Sequence, residues 1–326
     1  MNVTVLGAGA WGTALSLVLH HNGHKVVLWG HNPDHLSEIA RERTNDRYLP
    51  SVVLPADWTF EPDIDAAIRG AELVVLAVPS KAVRETAARL ARFGGIVVSV
   101  TKGIEASTGL TMTGILEQCA PSARLAAISG PSLALEVARG VPTAVVAASL
   151  EESVSLKVQQ MFHRPAFRVY RSSDLTGVEL GGALKNVIAI AAGIGDGLGF
   201  GDNAKAALVT RGEAEMRRLG VACGARPETF SGLGGLGDLM VTCFSRLSRN
   251  RSFGEKVGKG GRVADILAHT VSAVEGYPTC RSAHELAVRL GVEAPIIAEV
   301  HAMLYEGKEV RRAVHDLLNR ESKAED

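Results

Sequence analysis

Aromatic residues make up only 5% of the 326-residue chain, and cysteine occurs four times. Cys119, Cys223, Cys243 and Cys280 are scattered without a C-x-x-C pair. That spacing gives neither a disulfide framework nor a metal site, and it suits a reducing compartment. A charge excess is also missing, since 35 Lys and Arg balance 35 Asp and Glu. Nothing global therefore points to nucleic acid or to an anionic membrane as partner. Charges and glycines interrupt every apolar run before the roughly 18 residues that a bilayer span needs. The N-terminus lacks the basic flank, apolar stretch and cleavage site of a secretory leader. Asn2-Val3-Thr4 fits a glycosylation sequon, but it falls inside a strand pattern. These absences lead to the expectation of a cytoplasmic protein that does not insert into membranes. What remains is an ordinary globular composition, 46% hydrophobic and 21% charged, with length for one large domain or two of usual size.

The first half alternates. The β-branched runs "VTVL", "KVVLW", "ELVVLAV", "IVVSV", "LAAI", "TAVVAA" and "FRVY" are separated by helical patterns at 12–22, 33–43, 81–92, 110–119, 132–139 and 150–162. Such alternation predicts parallel β-α-β units wound into an open, mostly parallel sheet with helices on both faces. After Tyr170 the strand patterns stop. "SSDL" offers a helix N-cap, Ser173 or Asp174, and only helical patterns joined by glycine-rich loops follow. The boundary is expected near residue 173, giving an α/β domain over 1–173 and an all-helical one over 174–326. The charged tail "NRESKAED" is expected to fray.

Gly7-Ala8-Gly9-Ala10-Trp11-Gly12 follows the first strand and opens a helix. In a dinucleotide site Gly7 makes the tight turn, Gly9 lets backbone approach a pyrophosphate, and Gly12 lets helix and sheet pack closely. Gly232-Leu233-Gly234-Gly235-Leu236-Gly237 fits the same pattern. It follows no strand and lies in the helical half, so context rejects it. At the end of the second strand, where an NAD site usually carries Asp or Glu, the chain reads Trp29-Gly30-His31, and the first acid is Asp34. NADPH is therefore expected as cofactor, with NADH also accepted.

In an open parallel sheet, ligands bind beyond the carboxyl ends of the strands, and Lys102 ends one of them. Lys185 lies in "GGALKNVIAIAAG", where every neighbour except Asn186 is Gly, Ala, Val, Ile or Leu. A buried ammonium is costly unless paired, and Asp238, beyond the second glycine run, is the expected partner. A lysine held in an apolar pocket and tuned toward neutrality is a usable proton donor and acceptor. Arg246, Arg249 and Arg251 beside Asn250 form a basic loop suited to a phosphorylated substrate.

The blocks "GAGAWGTALS", "TKGIE", "SGPSLALEVARGVPTAV", "ELGGALKNVIAIAAGIGDGLGFGDNAKAALVTRG", "GLGGLGDLMVTCFSRLSRNRSFG" and "VEGY" closely resemble bacterial NAD(P)-dependent glycerol-3-phosphate dehydrogenases over nearly the whole chain. The resemblance implies a Rossmann domain followed by an all-α domain like that of 6-phosphogluconate dehydrogenases. It implies reversible reduction of dihydroxyacetone phosphate to sn-glycerol 3-phosphate, supplying phospholipid synthesis, and a homodimer. It makes Lys185 the catalytic proton acceptor and donor, and it brings Lys102 to both substrate and nicotinamide. Gly130, Ser132, Asp238, Ser248, Arg249 and Asn250 would contact substrate, while Asn186 and Thr242 match site positions of eukaryotic relatives. Ala10, Trp11, His31, Ala134, Arg249, Ala273 and Glu275 would contact the cofactor, Ala273 through backbone. Three positions depart from the family pattern: Leu133, Ala273, and Gly234, where alanine is usual. Two other readings share the fold: a ketopantoate-type or other β-hydroxyacid reductase, which needs a carboxylate anchor, and a non-catalytic NADPH sensor, which needs no buried lysine.

Overall fold

A computed structural model describes residues 1–270, 272–321 and 324; half of the expected frayed tail, at 322, 323, 325 and 326, thus lies outside the described residues. Ten strands form: β1 (Asn2–Leu6), β2 (Lys25–Trp29), β3 (Thr44–Asn45), β4 (Leu49–Val53), β5 (Thr59–Phe60), β6 (Leu73–Leu76), β7 (Ile96–Ser99), β8 (Arg124–Ser129), β9 (Thr143–Ala148) and β10 (Phe167–Ser172). Eight of them build one sheet in the order β10-β9-β8-β7-β6-β1-β2-β5, while β3 and β4 pair as a separate hairpin. All neighbours in the large sheet run parallel except β8 and β9. The helix between β8 and β9 is only Ala134–Ala138, and the chain returns antiparallel instead of making a full crossover.

The central strands are apolar without interruption because both faces are covered. Val75 and Val98 point into one core with Leu15 and Leu19 of helix Ala10–His21. Val74, Leu76 and Val97 point into the opposite core with Val83, Leu90 and Leu116. The expected helix over 81–92 is shorter, a 3-10 turn at Ser80–Ala82 continuing into Val83–Ala88. A short helix at Ile64–Ile68 and strands β3, β4 and β5 had no periodic signal in the sequence.

Beyond β10 the described chain is helical. Helix Leu175–Gly197 starts at Asp174, whose carboxylate accepts from Gly177 N at 2.9 Å, and it runs through the middle of the apolar core of the helical half. By length and composition this helix passes for a membrane span, contrary to the sequence expectation, yet 94% of its apolar window is buried inside the protein. Its glycines bring helix Arg249–Gly258 to backbone contact. A Cβ on Gly193 would lie 1.9 Å from Arg251 O, and one on Gly254 would lie 2.1 Å from Ile190 O. The second glycine run forms a π-helical turn, Leu233–Gly237, packed on the same helix.

Two substitutions separate close approach from spare room. Gly193→Ala should lower stability by about 1–3 kcal/mol, because backbone must move. Gly234→Ala, whose Cβ would meet Val178 at an ordinary 3.6 Å, should hold or raise it by up to about 1 kcal/mol. Urea midpoints of the two variants test this, and equal midpoints reject it.

Candidate active site

Gly7 adopts φ 131°, and a Cβ there would sit 2.5 Å from Ala77 O; a Cβ on Gly12 would sit 1.9 Å from Gly7 O. Neither position admits a side chain, so β1 turns tightly into helix Ala10–His21. Gly9 is different, since a Cβ there meets nothing within 4 Å. It is also the helix N-cap, with no side-chain cap and no acid in the first turn. The first amides and the positive helix end are left for an anion, and the donor set fits the pyrophosphate of a dinucleotide. Trp11, in that first turn, has a buried Nε1 without a hydrogen-bond partner. His31 stands exposed after β2, its ring 6.5 Å from that of Trp29. Ala134 opens its short helix, and Ala273 is exposed two residues before Glu275.

The opposite wall comes from the helical half. Lys185 is 6% exposed, and its Nζ donates to Asp238 Oδ1 and to Thr242 Oγ1, each at 2.6 Å. Thr242 Oγ1 donates its own proton to Asp238 O at 2.6 Å, which leaves its lone pairs for the lysine. The second oxygen of Asp238, Oδ2, accepts from Lys102 Nζ at 2.5 Å, and Lys102 also reaches Gly130 O at 3.4 Å. One carboxylate, 1% exposed, therefore holds two ammonium groups from the two halves of the chain. Burial pushes the Lys185 pKa down to about 8; Asp238 opposes that shift and the charge of Lys102 adds to it. Each ammonium spends two of its three N–H groups on these partners, and one remains to each for a substrate oxygen.

Local structure explains the placement. The π-helical turn puts Gly234 O against Gly181, so Asp238, first residue of helix Asp238–Phe244, faces Lys185. Lys102 lies just before a loop closed by the Ile104–Thr111 bridge. Thr113, at the start of helix Met112–Cys119, donates its N–H at 2.9 Å to Oε1 of buried Glu179, and its hydroxyl bonds the other oxygen. Burial raises the Glu179 pKa against those hydrogen bonds. Glu179 and Lys185 share one helix, so this contact ties the two lysine-bearing segments together.

The other expected residues divide. Ser248 caps helix Arg249–Gly258 by accepting from Arg251 N at 3.2 Å, and the helix start offers its first amides beside Arg249. Arg249 reaches solvent, yet surrounding protein desolvates its guanidinium and lowers its pKa, with Glu275 opposing. Asn250 is already engaged: Nδ2 donates to Asn186 Oδ1 at 2.8 Å, and Oδ1 accepts from Gly276 N at 2.9 Å. Ser132 Oγ donates to Gly130 O at 2.8 Å. Arg251 leaves the expected basic loop, because it pairs with Asp196 at 2.6 Å and Glu255 at 3.1 Å.

Sequence reasoning missed two serines at strand ends. Ser129 Oγ lies 3.4 Å from Asp238 Oδ2, and Ser80 binds Glu275 through N at 3.1 Å and Oγ at 2.5 Å. Burial raises the Glu275 pKa, opposed by those bonds to Ser80. Their only signal was position, at the carboxyl ends of β8 and β6. Separately, His284, His301 and Glu306 gather ligand-type atoms within 4.8 Å of one another, a grouping that the sequence spacing did not disclose.

Asp238→Asn tests the electrostatics of the cluster. The carboxylate raises the Lys185 pKa, so its loss should move titration of that amine below about 8. Lysine-selective NMR titration measures it, and an unchanged or higher value rejects the assignment.

Residues 2–155 match the family model for the N-terminus of NAD-dependent glycerol-3-phosphate dehydrogenase, and residues 174–315 match that for its C-terminus. Glycerol-3-phosphate dehydrogenase [NAD(P)+] of Citrifermentans bemidjiense is 49% identical over 329 residues, covering 99% of this chain and 98% of that protein. The protein of the same name from Chlorobium luteolum is 48% identical over 331 residues, covering 100% and 99%. The crystal structure of glycerol-3-phosphate dehydrogenase from Coxiella burnetii superimposes with TM-score 0.94 at 40% identity, over 98% of this chain and 99% of that one.

Proposed function

The chain belongs to the NAD-dependent glycerol-3-phosphate dehydrogenase family, and from that premise we propose how its cleft works. The protein is an oxidoreductase that uses NAD(P) to interconvert dihydroxyacetone phosphate and sn-glycerol 3-phosphate, the glycerol phosphate of phospholipid synthesis. The observation that carries the site assignment is the Lys102–Asp238–Lys185 cluster, with a buried amine whose pKa lies near 8.

The bound dinucleotide supplies or accepts the hydride at C2 of the substrate. Lys185 Nζ gives a proton to the C2 oxygen during reduction and takes it back during oxidation. Asp238 and Thr242 fix that nitrogen, and Lys102 turns a second N–H toward the same oxygen. Arg249 and the first amides of its helix anchor the phosphate, supported by Ser248. Asn250 acts by holding Asn186 and Gly276 in place. Gly130 and Ser132 form the wall beside Lys102. Gly7, Gly9, Ala10, Trp11 and Gly12 hold the pyrophosphate end, while His31, Ala134, Ala273 and Glu275 contact the rest of the cofactor. NADPH is the preferred form, because no carboxylate ends β2.

We assign residues 1–173 to the cofactor lobe and 174–326 to the substrate lobe; an apolar core of the helical half largely separate from the two cores flanking the sheet supports that division. The family resemblance favours a homodimer in the cytoplasm. The equal numbers of basic and acidic residues support a partner set without nucleic acid or membrane.

Three measurements test these roles. Lys185→Met should cut turnover about a hundredfold to ten-thousandfold while cofactor binding persists; near-normal kcat rejects the proton role. With Lys185 as acid, reduction needs the ammonium and slows as pH rises through about 8, whereas oxidation needs the free amine and slows as pH falls through the same value. Arg249→Ala should raise KM for dihydroxyacetone phosphate about tenfold or more, since a charged hydrogen bond is lost, and an unchanged KM rejects the anchor. Turnover on 2-ketopantoate exceeding that on dihydroxyacetone phosphate would favour the rival reductase.

A further inference from the structure

The β3–β4 hairpin is fastened to the glycine turn. Asn45, 1% exposed, donates Nδ2 to Ala8 O at 3.0 Å and to Thr13 Oγ1 at 2.9 Å. Ala8 lies inside the fingerprint, and Thr13 follows it on the first helix. The hairpin tip, Asp46-Arg47-Tyr48, is therefore held at the cofactor end of the sheet. Two ring contacts and a hydrogen bond lead from that tip to Asn32, beside His31. The Arg47 guanidinium lies 5.3 Å from the Tyr48 ring centroid, and Tyr48 meets His35 edge-on at 5.3 Å. His35 N donates at 3.0 Å to Oδ1 of Asn32, the residue after His31.

Charge on this corner favours an anion. Arg47 is exposed and makes no ion pair with any described residue. Its neighbour Asp46 is spent inside the hairpin, accepting from Ser51 N at 2.9 Å and Thr44 Oγ1 at 3.2 Å. Glu38 faces His35 at 3.5 Å, and Asp34 remains exposed in the first turn of helix Pro33–Glu42. The residues that follow β2, Gly30 and His31, include no carboxylate at the position that would bind the two hydroxyls of an adenosine ribose. A guanidinium already laid on an aromatic face loses little freedom on meeting a phosphate, and its fork matches phosphate oxygens.

We propose that the β3–β4 hairpin clamps the adenosine end of the cofactor and that Arg47, with His31, selects NADPH by holding its 2′-phosphate. This rests on the dinucleotide reading above and adds the residue that sets the choice. NADH presents only a hydroxyl there and gains nothing comparable from a cation. Asn45 is the positioning residue, since it fixes the hairpin against Ala8.

Equilibrium binding to the full chain tests the proposal without turnover. Affinities for NADPH and NADH are measured by titration calorimetry on the wild type and on R47A, R47K and H31A. Adenosine 2′,5′-bisphosphate and 5′-AMP serve as minimal probes on the wild type. The wild type should favour NADPH, and the bisphosphate over 5′-AMP, by at least about tenfold. R47A should lose about tenfold more affinity for NADPH than for NADH, with R47K between, and the NADPH preference should shrink as salt rises. Equal loss for both dinucleotides in R47A, or a wild type that binds NADH as tightly as NADPH, overturns the role of Arg47 and leaves the dehydrogenase reading standing. Failure of the wild type to bind either dinucleotide overturns both.

Discussion

One carboxylate shared by two ammonium groups is the constraint on which the site depends. Asp238 is almost fully buried and cannot lean on water, so its charge is balanced by Lys185 and Lys102. Removing one member of such a buried set commonly costs about 3–5 kcal/mol, because an unpaired charge stays behind. The three groups come from three segments: the loop after β7, the long helix and the turn after the second glycine run. Each segment must therefore stop where its charge meets the others. Glu179 on Thr113 and Glu275 on Ser80 add two more contacts between the same halves, and both carboxyls are also largely buried.

The long helix joins packing to chemistry. Its apolar residues make it the centre of the core of the helical half, and its glycines admit the backbone of a neighbouring helix. Close approach leaves little room for water along its length, so Lys185 is desolvated by the packing that stabilises the fold. The lowered pKa of the amine is thus a product of the core, and Asp238 keeps it from falling further.

Much of this was legible in the sequence. The boundaries of β2 and β9 coincide with "KVVLW" and "TAVVAA", and the fingerprint lies between strand and helix as its context required. The pairing of Lys185 with Asp238 followed from the cost of burying an ammonium among aliphatic residues. Other features left no signal. The antiparallel β8–β9 pairing depends on a connection whose helix is five residues long, and its strands look like any buried parallel pair. Strands β3 and β5, of two residues each, are too short to show a period of two. Arg251 resembled Arg249 in sequence because both sit in "SRNR". Two residues along the helix, a rotation of about 200°, send Arg251 to Asp196 and leave Arg249 at the helix start. Asn45 lies thirty-odd residues from its partners, and no local pattern records a bond across that distance.

The charge state of the cluster fits the demand that reduction places on it. Two ammonium groups on one carboxylate give the cluster a formal surplus of one positive charge. In the proposed reduction, hydride arriving at C2 would build negative charge on the adjoining oxygen, and each lysine keeps one N–H to offer it. Transfer of a proton from Lys185 in that proposed reduction would leave Lys102 and Asp238 as a neutral pair beside a free amine. Little solvent rearrangement would then be needed, because these charges are fixed by the fold before substrate arrives. A single lysine with its own carboxylate would start neutral and offer the developing oxyanion only dipoles. The second lysine, contributed by the other half of the chain, gives the buried pair its surplus charge, and it explains why the site is assembled at the seam between the halves.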